Sequence, residues 1–285
     1  MIFILPIYFL VLLLFTNCSK AVWQPKIDTT WNIILKKDGF DIKKEKNEVI
    51  DIDLHSNSAE DIQNFHNAGK KVICYFSGGT LEDFRPDKDE YYKVDGLVKN
   101  DYKQWKGENW LDFRKEGIKP LITNRMKLAV EKKCDAIDVD NLDGYQDKSV
   151  QKKWSEPLTK EDTITFAKWL SATAHSLGLA IGLKNSLFMI DEVGQYFDFA
   201  INESCATNDY PECHLYKSFL DSGKAVFGIT YEIYLKDHYN RLCDALDGLK
   251  ISMIIKKEEL IQSGKNFNTH NCPFIYTLGK YYYYY

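Results

Sequence analysis

Residues 134–141, CDAIDVDN, alternate like a buried strand yet carry three carboxylates. Ile137 and Val139 favour a strand, whereas Asp135, Asp138 and Asp140 do not. Residues two apart on a strand face the same side, so Asp138 and Asp140 share a face and point to the axis if the sheet closes. Burying such carboxylates without partners is costly, and Lys184, Asn185 or Arg85 is expected to neutralise or hydrogen-bond at least one of them.

Outward from this segment, strand-like runs recur at WNIIL (31–35), EVIDIDL (48–54), KVICYFS (71–77), LAIGLKN (179–185), FDFAINE (197–203), KAVFGITYE (224–232) and KISMIIK (250–256). With DAIDVD (135–140) they make eight. Helical periodicity separates them at SAEDIQNFHNAG (58–69), TNRMKLAVEKK (123–133), EDTITFAKWLSATAHSLG (161–178) and LFMIDEVGQYF (187–197). Gly69 and Gly178 stand where left-handed helix caps belong. Alternating strands and helices imply a mainly parallel sheet, and eight strands in 285 residues point to a single-domain α/β (β/α)8 TIM barrel over residues 21–280. A doubly wound nucleotide binder would carry a glycine fingerprint after its first strand, and LKKDGFDIKK has none.

The apolar run MIFILPIYFLVLLLF followed by TNCSK is expected to be a cleaved secretory signal (1–20), with an N-terminal membrane anchor as the alternative. The protein is then secreted, with no stable membrane span after cleavage. Cys205 and Cys213 flank the polar loop ATNDYPE, which suits a disulfide in an oxidising compartment, and Cys243 with Cys272 is a second candidate pair. Cys74 and Cys134 lie in or beside strands and read as buried thiols. The net charge of −4, from 41 acidic and 37 basic residues, comes without a basic block, which argues against nucleic acid. No CxxC or His/Cys cluster suggests zinc, while a divalent metal held by Asp138 and Asp140 stays open although histidines are few and scattered. His66 and His175 fall late in helices, in solvated or capping roles. The tail 281–285, five tyrosines, is too short and biased to fold alone.

In a barrel, chemistry belongs at the C-terminal strand ends. There the chain places Asp53 and His55; Tyr75 and Ser77, then Glu82 and Arg85; Asp138, Asp140 and Asn141; Lys184 and Asn185; Asn202 and Glu203; Tyr231 and Glu232. DVDNLDG resembles a calcium loop only superficially, because its third acid and glycine come one residue late. Two carboxylates on different strands suit glycoside hydrolysis, one protonating the leaving oxygen while the other attacks or activates water. A non-catalytic carbohydrate-binding barrel of a cell wall or spore coat, and a metal-assisted hydrolase, are the competing readings.

The ordered set VIDIDL (49–54), GKKVICYFSGGTLEDFRPD (69–87), GENWLDFR (107–114), CDAIDVDNLDGY (134–145), AHSLGLAIGLKN (174–185), FDFAINESC (197–205) and KAVFGITYE resembles the endo-α-1,4-polygalactosaminidase family, glycoside hydrolase family 114. The resemblance runs from about Trp23 to the eighth strand. It implies a TIM barrel that cleaves internal α-1,4 bonds of galactosamine and N-acetylgalactosamine polymers without a cofactor. By that likeness Asp140 and Glu203 are the catalytic pair, Asp140 as nucleophile and Glu203 as acid/base, or the reverse. Asp53, Glu82, Asp138 and Glu232 would form an acidic mouth for a cationic galactosaminan. Tyr75, Trp110 and Tyr231 are candidates to stack on sugars, with Trp110 alternatively a packed loop anchor. Arg85, Lys184 and Asn185 would orient carboxylates or hydroxyls, with Ser77 and Asn141 in the same ring. GITYE departs from the usual ending of strand seven and leaves Glu232 in question. The sequon Asn202-Glu203-Ser204 is expected to be unglycosylated, because it lies inside the mouth.

Overall fold

The computed structural model describes residues 22–36, 40–208, 210–235 and 239–267. The signal or anchor region, Cys272 and the tyrosine tail lie outside them, and with Cys272 the proposed partner of Cys243.

The eight barrel strands are, in chain order, Trp31–Ile34, Val49–Asp53, Lys71–Ser77, Ala136–Asp140, Ala180–Lys184, Phe199–Glu203, Val226–Tyr231 and Ile251–Lys256. Each pairs in parallel with the next. This is the (β/α)8 barrel expected from the alternation. Its seam is closed differently from its other walls: Lys265–Asn266 pairs antiparallel with the eighth strand. The Leu260 carbonyl, accepting from the Leu35 amide (3.0 Å), and side chains carry the rest of the join. Trp31 Nε1 donates to the Ser252 carbonyl (2.7 Å) and Lys256 Nζ to Asn32 Oδ1 (2.7 Å).

Alternation along the strands divides the apolar residues into two layers. Ile50, Ile52, Cys74, Phe76, Ile137 and Val139 face the helices, while Trp31, Phe199 and Phe227 fill the barrel interior. Trp31 stacks on Phe227 at 5.2 Å, and Phe199 meets the same ring at 5.7 Å. Gly182 makes room for this plug: a Cβ there would come within 2.5 Å of the Phe199 ring.

Helix Ala59–Asn67 begins with a capping box of Ser58 and Asp61, and Lys160–Ser176 with Thr159 and Asp162. Gly69 and Gly178 adopt the left-handed conformation expected after these helices (φ 75° and 77°). His66 and His175, in their last turns, bond Asp135 and Asp198 at 2.8 Å each. Those carboxylates also accept from the backbone of Val72 and Ile181, fastening helix ends to the N-terminal rim of the barrel. The segment LFMIDEVGQYF is not a continuous helix. It breaks into three short turns, Leu187–Met189, Ile190–Val193 and Gly194–Tyr196, because Gly194 weakens an already short run and packs beneath Phe219.

Between the third strand and helix Ile118–Lys132 the chain makes an excursion. Thr80–Glu82, Glu108–Leu111 and Val98–Asp101 form a small antiparallel sheet. Gly79 lets this excursion leave the barrel, since a Cβ there would fall 1.7 Å from the Asn141 carbonyl.

Cys205 and Cys213 form the expected disulfide. Cys74 and Cys134 are not free thiols but a second disulfide, 60 residues apart in sequence. The third and fourth strands are neighbours, with Cys74 paired in register to Ile137, so the two sulfurs meet on the outer face of the wall. Cross-linking a loop of this length stabilises by about 4 kcal/mol. Paired Cys74→Ala and Cys134→Ala substitutions are expected to lower the unfolding free energy by that amount, read from the denaturant midpoint; an unchanged midpoint would show that the bridge does not stabilise the fold. Among the described residues no helix is long and apolar enough to cross a membrane.

Candidate active site

The C-terminal ends of the strands open into a cavity of about 650 Å³. Asp53, Tyr75, Asp140, Lys184, Glu203 and Tyr231 line it, one from each of strands two to seven. Asn141, Asn185 and Ser204, directly after the fourth, fifth and sixth strands, all have left-handed backbones (φ 62°, 50° and 69°). Each turns the chain away just past Asp140, Lys184 or Glu203, leaving those side chains at the rim. Asn tolerates this conformation better than most residues, which suits DN and KN at two of these ends.

Asp138 and Asp140 point inward together as their spacing requires. Asp138 is fully buried and Asp140 reaches the cavity. Lys184 Nζ lies 3.5 Å from Asp138 Oδ2 and 3.2 Å from Asp140 Oδ1, so it is the cation that the paired carboxylates call for. Although burial works against its charge, Asp138, Asp140 and Glu203 hold its pKa well above the ordinary lysine value. Tyr75 OH donates to Asp140 Oδ2 at 3.1 Å, and Lys184 Nζ lies 5.6 Å above the same ring. Tyr231 OH donates a short hydrogen bond to Glu203 Oε1. Burial and the adjoining carboxylates raise both phenols, which therefore remain donors at neutral pH.

Arg85 occupies the opposite side. Its guanidinium meets Asp53 Oδ2 at 2.6 Å and grips both oxygens of Glu82. It is thus committed to these two acids rather than to Asp138 or Asp140. Burial raises Asp53, but Arg85 and the Ser56 amide more than offset this and leave it below its ordinary value. Burial dominates at Glu82 and leaves it raised. His55 is lowered to about 4 by burial and by Arg125 and Arg85, so its ring is neutral at physiological pH.

The family model of glycoside hydrolase family GH114 matches residues 14–273. The chain belongs to GH114. It is a glycosidase, as the resemblance implied. Among solved structures, this GH114 chain is 33% identical to Aspergillus fumigatus Ega3, determined in complex with galactosamine, with a TM-score of 0.77 over 88% of this chain and 100% of that one. The glycoside hydrolase domain of PelA from Pseudomonas aeruginosa is 14% identical, with a TM-score of 0.60 over 83% of this chain and 98% of its own, and shows the shared fold. No curated protein sequence matches.

Five residues expected at the GH114 mouth do not line the cavity. Trp110 is 1% exposed and packs against Tyr102 and Gly144, so it is a loop anchor and not a sugar platform. Glu232 is exposed on the turn after the seventh strand, outside the cavity, because that strand ends at Tyr231 with Tyr231 facing inward. Asn185 Oδ1 accepts from the Glu203 amide (2.9 Å), and Ser77 bonds Thr80 and Asn141, so both hold the rim together. Asp138 lies beneath the floor. Asn202, of the sequon, is a sixth residue placed inside the mouth by the sequence that does not line it: it is 1% exposed and accepts from the Cys205 amide, so burial and not the mouth leaves no room for a glycan.

The GH114 cavity also gains residues that sequence reasoning missed. Glu108, Trp105 and Phe84 reach it from the excursion, and Glu258 and Glu259 from the loop after the eighth strand. Phe84 and Trp105 are 69% and 56% exposed, unusually high for large aromatic rings. Their nearest sequence signal was the cluster of aromatics and acids at 82–110, which has no strand or helix period. Glu108 accepts from Thr80 Oγ1 (2.9 Å), and burial together with Glu82 pushes it up to about 7. The folded state therefore keeps this proton to higher pH than the unfolded chain, and stability falls as pH rises from about 4.5 to about 7. Glu108→Gln, which cannot ionise, is expected to flatten that slope in thermal midpoints taken across the window; an unchanged slope would mean that Glu108 titrates at its ordinary value.

Proposed function

We propose that the protein is a secreted endo-acting glycosidase that cleaves α-1,4-linked polymers of galactosamine and N-acetylgalactosamine. Asp140 and Glu203 are its reacting carboxylates, and the mature enzyme is the single barrel domain. The observation that carries the reading is that these two acids open into one cavity, each held by a tyrosine hydroxyl, with Lys184 beside Asp140. The likeness to Ega3, whose structure contains galactosamine, supports the choice of sugar. So does the charge of the lining. Glu108, Glu258 and Glu259 join Asp53, Glu82 and the reacting pair, against four cations of which Arg85 and Lys184 are already paired. A surplus of carboxylates at low dielectric favours the ammonium groups of deacetylated residues. Trp105 and Phe84 offer apolar faces on which pyranose rings stack. The two disulfides among the described residues suit an oxidising compartment and hence secretion.

In the proposed reaction one carboxylic acid protonates the glycosidic oxygen as the bond to the anomeric carbon breaks. The other carboxylate either forms a glycosyl-enzyme ester or deprotonates the attacking water. Glu203, hydrogen-bonded to a neutral phenol, is assigned the proton transfers. Asp140, with Lys184 and Tyr75 fixing both of its oxygens, is assigned the attack.

Product analysis on partially deacetylated α-1,4-galactosaminan tests this. Short internal-cleavage products are expected from the wild type, and their yield is expected to survive EDTA. Binding without cleavage would favour a carbohydrate-binding barrel. Loss of cleavage with chelator would favour a metal-assisted hydrolase.

A further inference from the structure

One buried carboxyl has no part in the chemistry set out above. Asp51 lies on the second strand, inward-facing and fully buried, two residues below Asp53. Among the described residues neither of its oxygens has a hydrogen-bond donor, and Oδ1 of the equally buried Asp138 lacks one as well. The two carboxyls face each other across the barrel interior. Two buried carboxylates in contact cannot both be charged, and orphaned oxygens at such depth cost several kcal/mol. A shared proton removes both problems. Lys184 compensates a charge on Asp138 Oδ2, whereas nothing of the kind touches Asp51, so the proton belongs to Asp51.

We propose that Asp51 is a positioning residue held as the neutral carboxylic acid, which donates a hydrogen bond to Oδ1 of Asp138 and so aims Asp138 Oδ2 at Lys184 and, through Lys184, steadies Asp140. The positioning half rests on Asp140 being a reacting carboxylate; the location of the proton does not. Burial, and after it the Asp138 charge, raise Asp51 well above the ordinary carboxylate range. Asp138 itself is pushed up to about 6 by burial, with Lys184 opposing. The titratable groups that face this pair from the neighbouring strands are Lys184, Asp140 and the Tyr75 phenol. A carboxylic acid kept neutral by its surroundings so that it serves as a donor is an established device in enzyme sites.

Two variants separate the proposal from a merely structural role. Asp51→Asn keeps the shape and an N–H donor, while Asp51→Leu removes the donor. Infrared difference spectra between wild type and Asp51→Asn, at mildly alkaline pH where Asp138 is ionised, are expected to show a protonated-carboxyl C=O band that the variant lacks. This measurement needs no substrate, so it decides the proton's place even if galactosaminan is not the natural polymer. On galactosaminan, Asp51→Asn is expected to retain most of the wild-type kcat. Asp51→Leu is expected to lose about tenfold in kcat at unchanged KM, the size of one hydrogen bond to a charged group. It is also expected to move the acid limb of the kcat profile to higher pH, because Asp138 has lost its donor. Absence of the infrared band would overturn the proton assignment, and equal kinetics for Asn and Leu would overturn the positioning role. Should Asp51→Leu fail to fold, absence of the band and a loss of most of the kcat in Asp51→Asn serve as the overturning results.

Discussion

Asp140→Asn and Glu203→Gln are each expected to lower the rate of galactosaminan cleavage about a thousandfold, the scale on which a positioned acid, base or nucleophile acts. Both replacements keep side-chain volume and a hydrogen-bonding oxygen, so Tyr75 and Tyr231 retain acceptors and the fold is expected to survive. The loss should fall mainly on kcat, because both groups act on the bonds that form and break in the transition state rather than on the bound substrate. Product stereochemistry then separates the two modes of attack: retention requires the carboxyls to sit about 5 Å apart, inversion a wider gap that admits water. Cleavage persisting in both variants would move the chemistry elsewhere in the mouth, with Glu108 and Glu82 next to be tested.

Lys184→Met is expected to have the largest effect on stability. The ammonium is 4% exposed and lies between Asp138 and Asp140, so its removal leaves one fully buried carboxylate and one partly buried carboxylate facing each other. Removing one partner from a buried ion pair costs about 3–5 kcal/mol. The sign of its pH dependence follows from linkage. Without the cation the Asp138 pKa rises further in the folded state, so the folded protein binds more protons than the unfolded chain. The destabilisation is therefore greatest at neutral and alkaline pH, and it is relieved as pH falls through the raised pKa toward the ordinary carboxylate value. Denaturant melts of Lys184→Met at several pH values check this, and Asp138→Asn added to the same chain is expected to restore part of the loss. A pH-independent loss would mean that Lys184 acts by packing alone.

The barrel was legible because its signal is local. Alternation within four to seven residues marks each strand, and residues such as Asp53, Tyr75, Asp140, Lys184 and Glu203 announce themselves as polar groups at the end of an apolar run. Spacing along a strand was enough to place Asp138 and Asp140 on one face. Trp110 shows the limit of this reasoning. A tryptophan in an aromatic-rich loop looks the same in sequence whether it stands in the mouth or beneath it, and only the pairing of Thr80 with Trp110 turns it inward.

Strand order, the inward face of each strand and the polar rim thus follow from the chain alone, because backbone period and side-chain alternation are properties of short segments. Tertiary structure decided which distant groups share a charge or a bond: Lys184 with Asp138 and Asp140, Arg85 with Asp53 and Glu82, Cys74 with Cys134, and Glu108 with the mouth. The physical reason is that burial and Coulomb energies depend on distances of a few ångströms between residues that lie tens to hundreds of positions apart in sequence, and no local pattern encodes those distances.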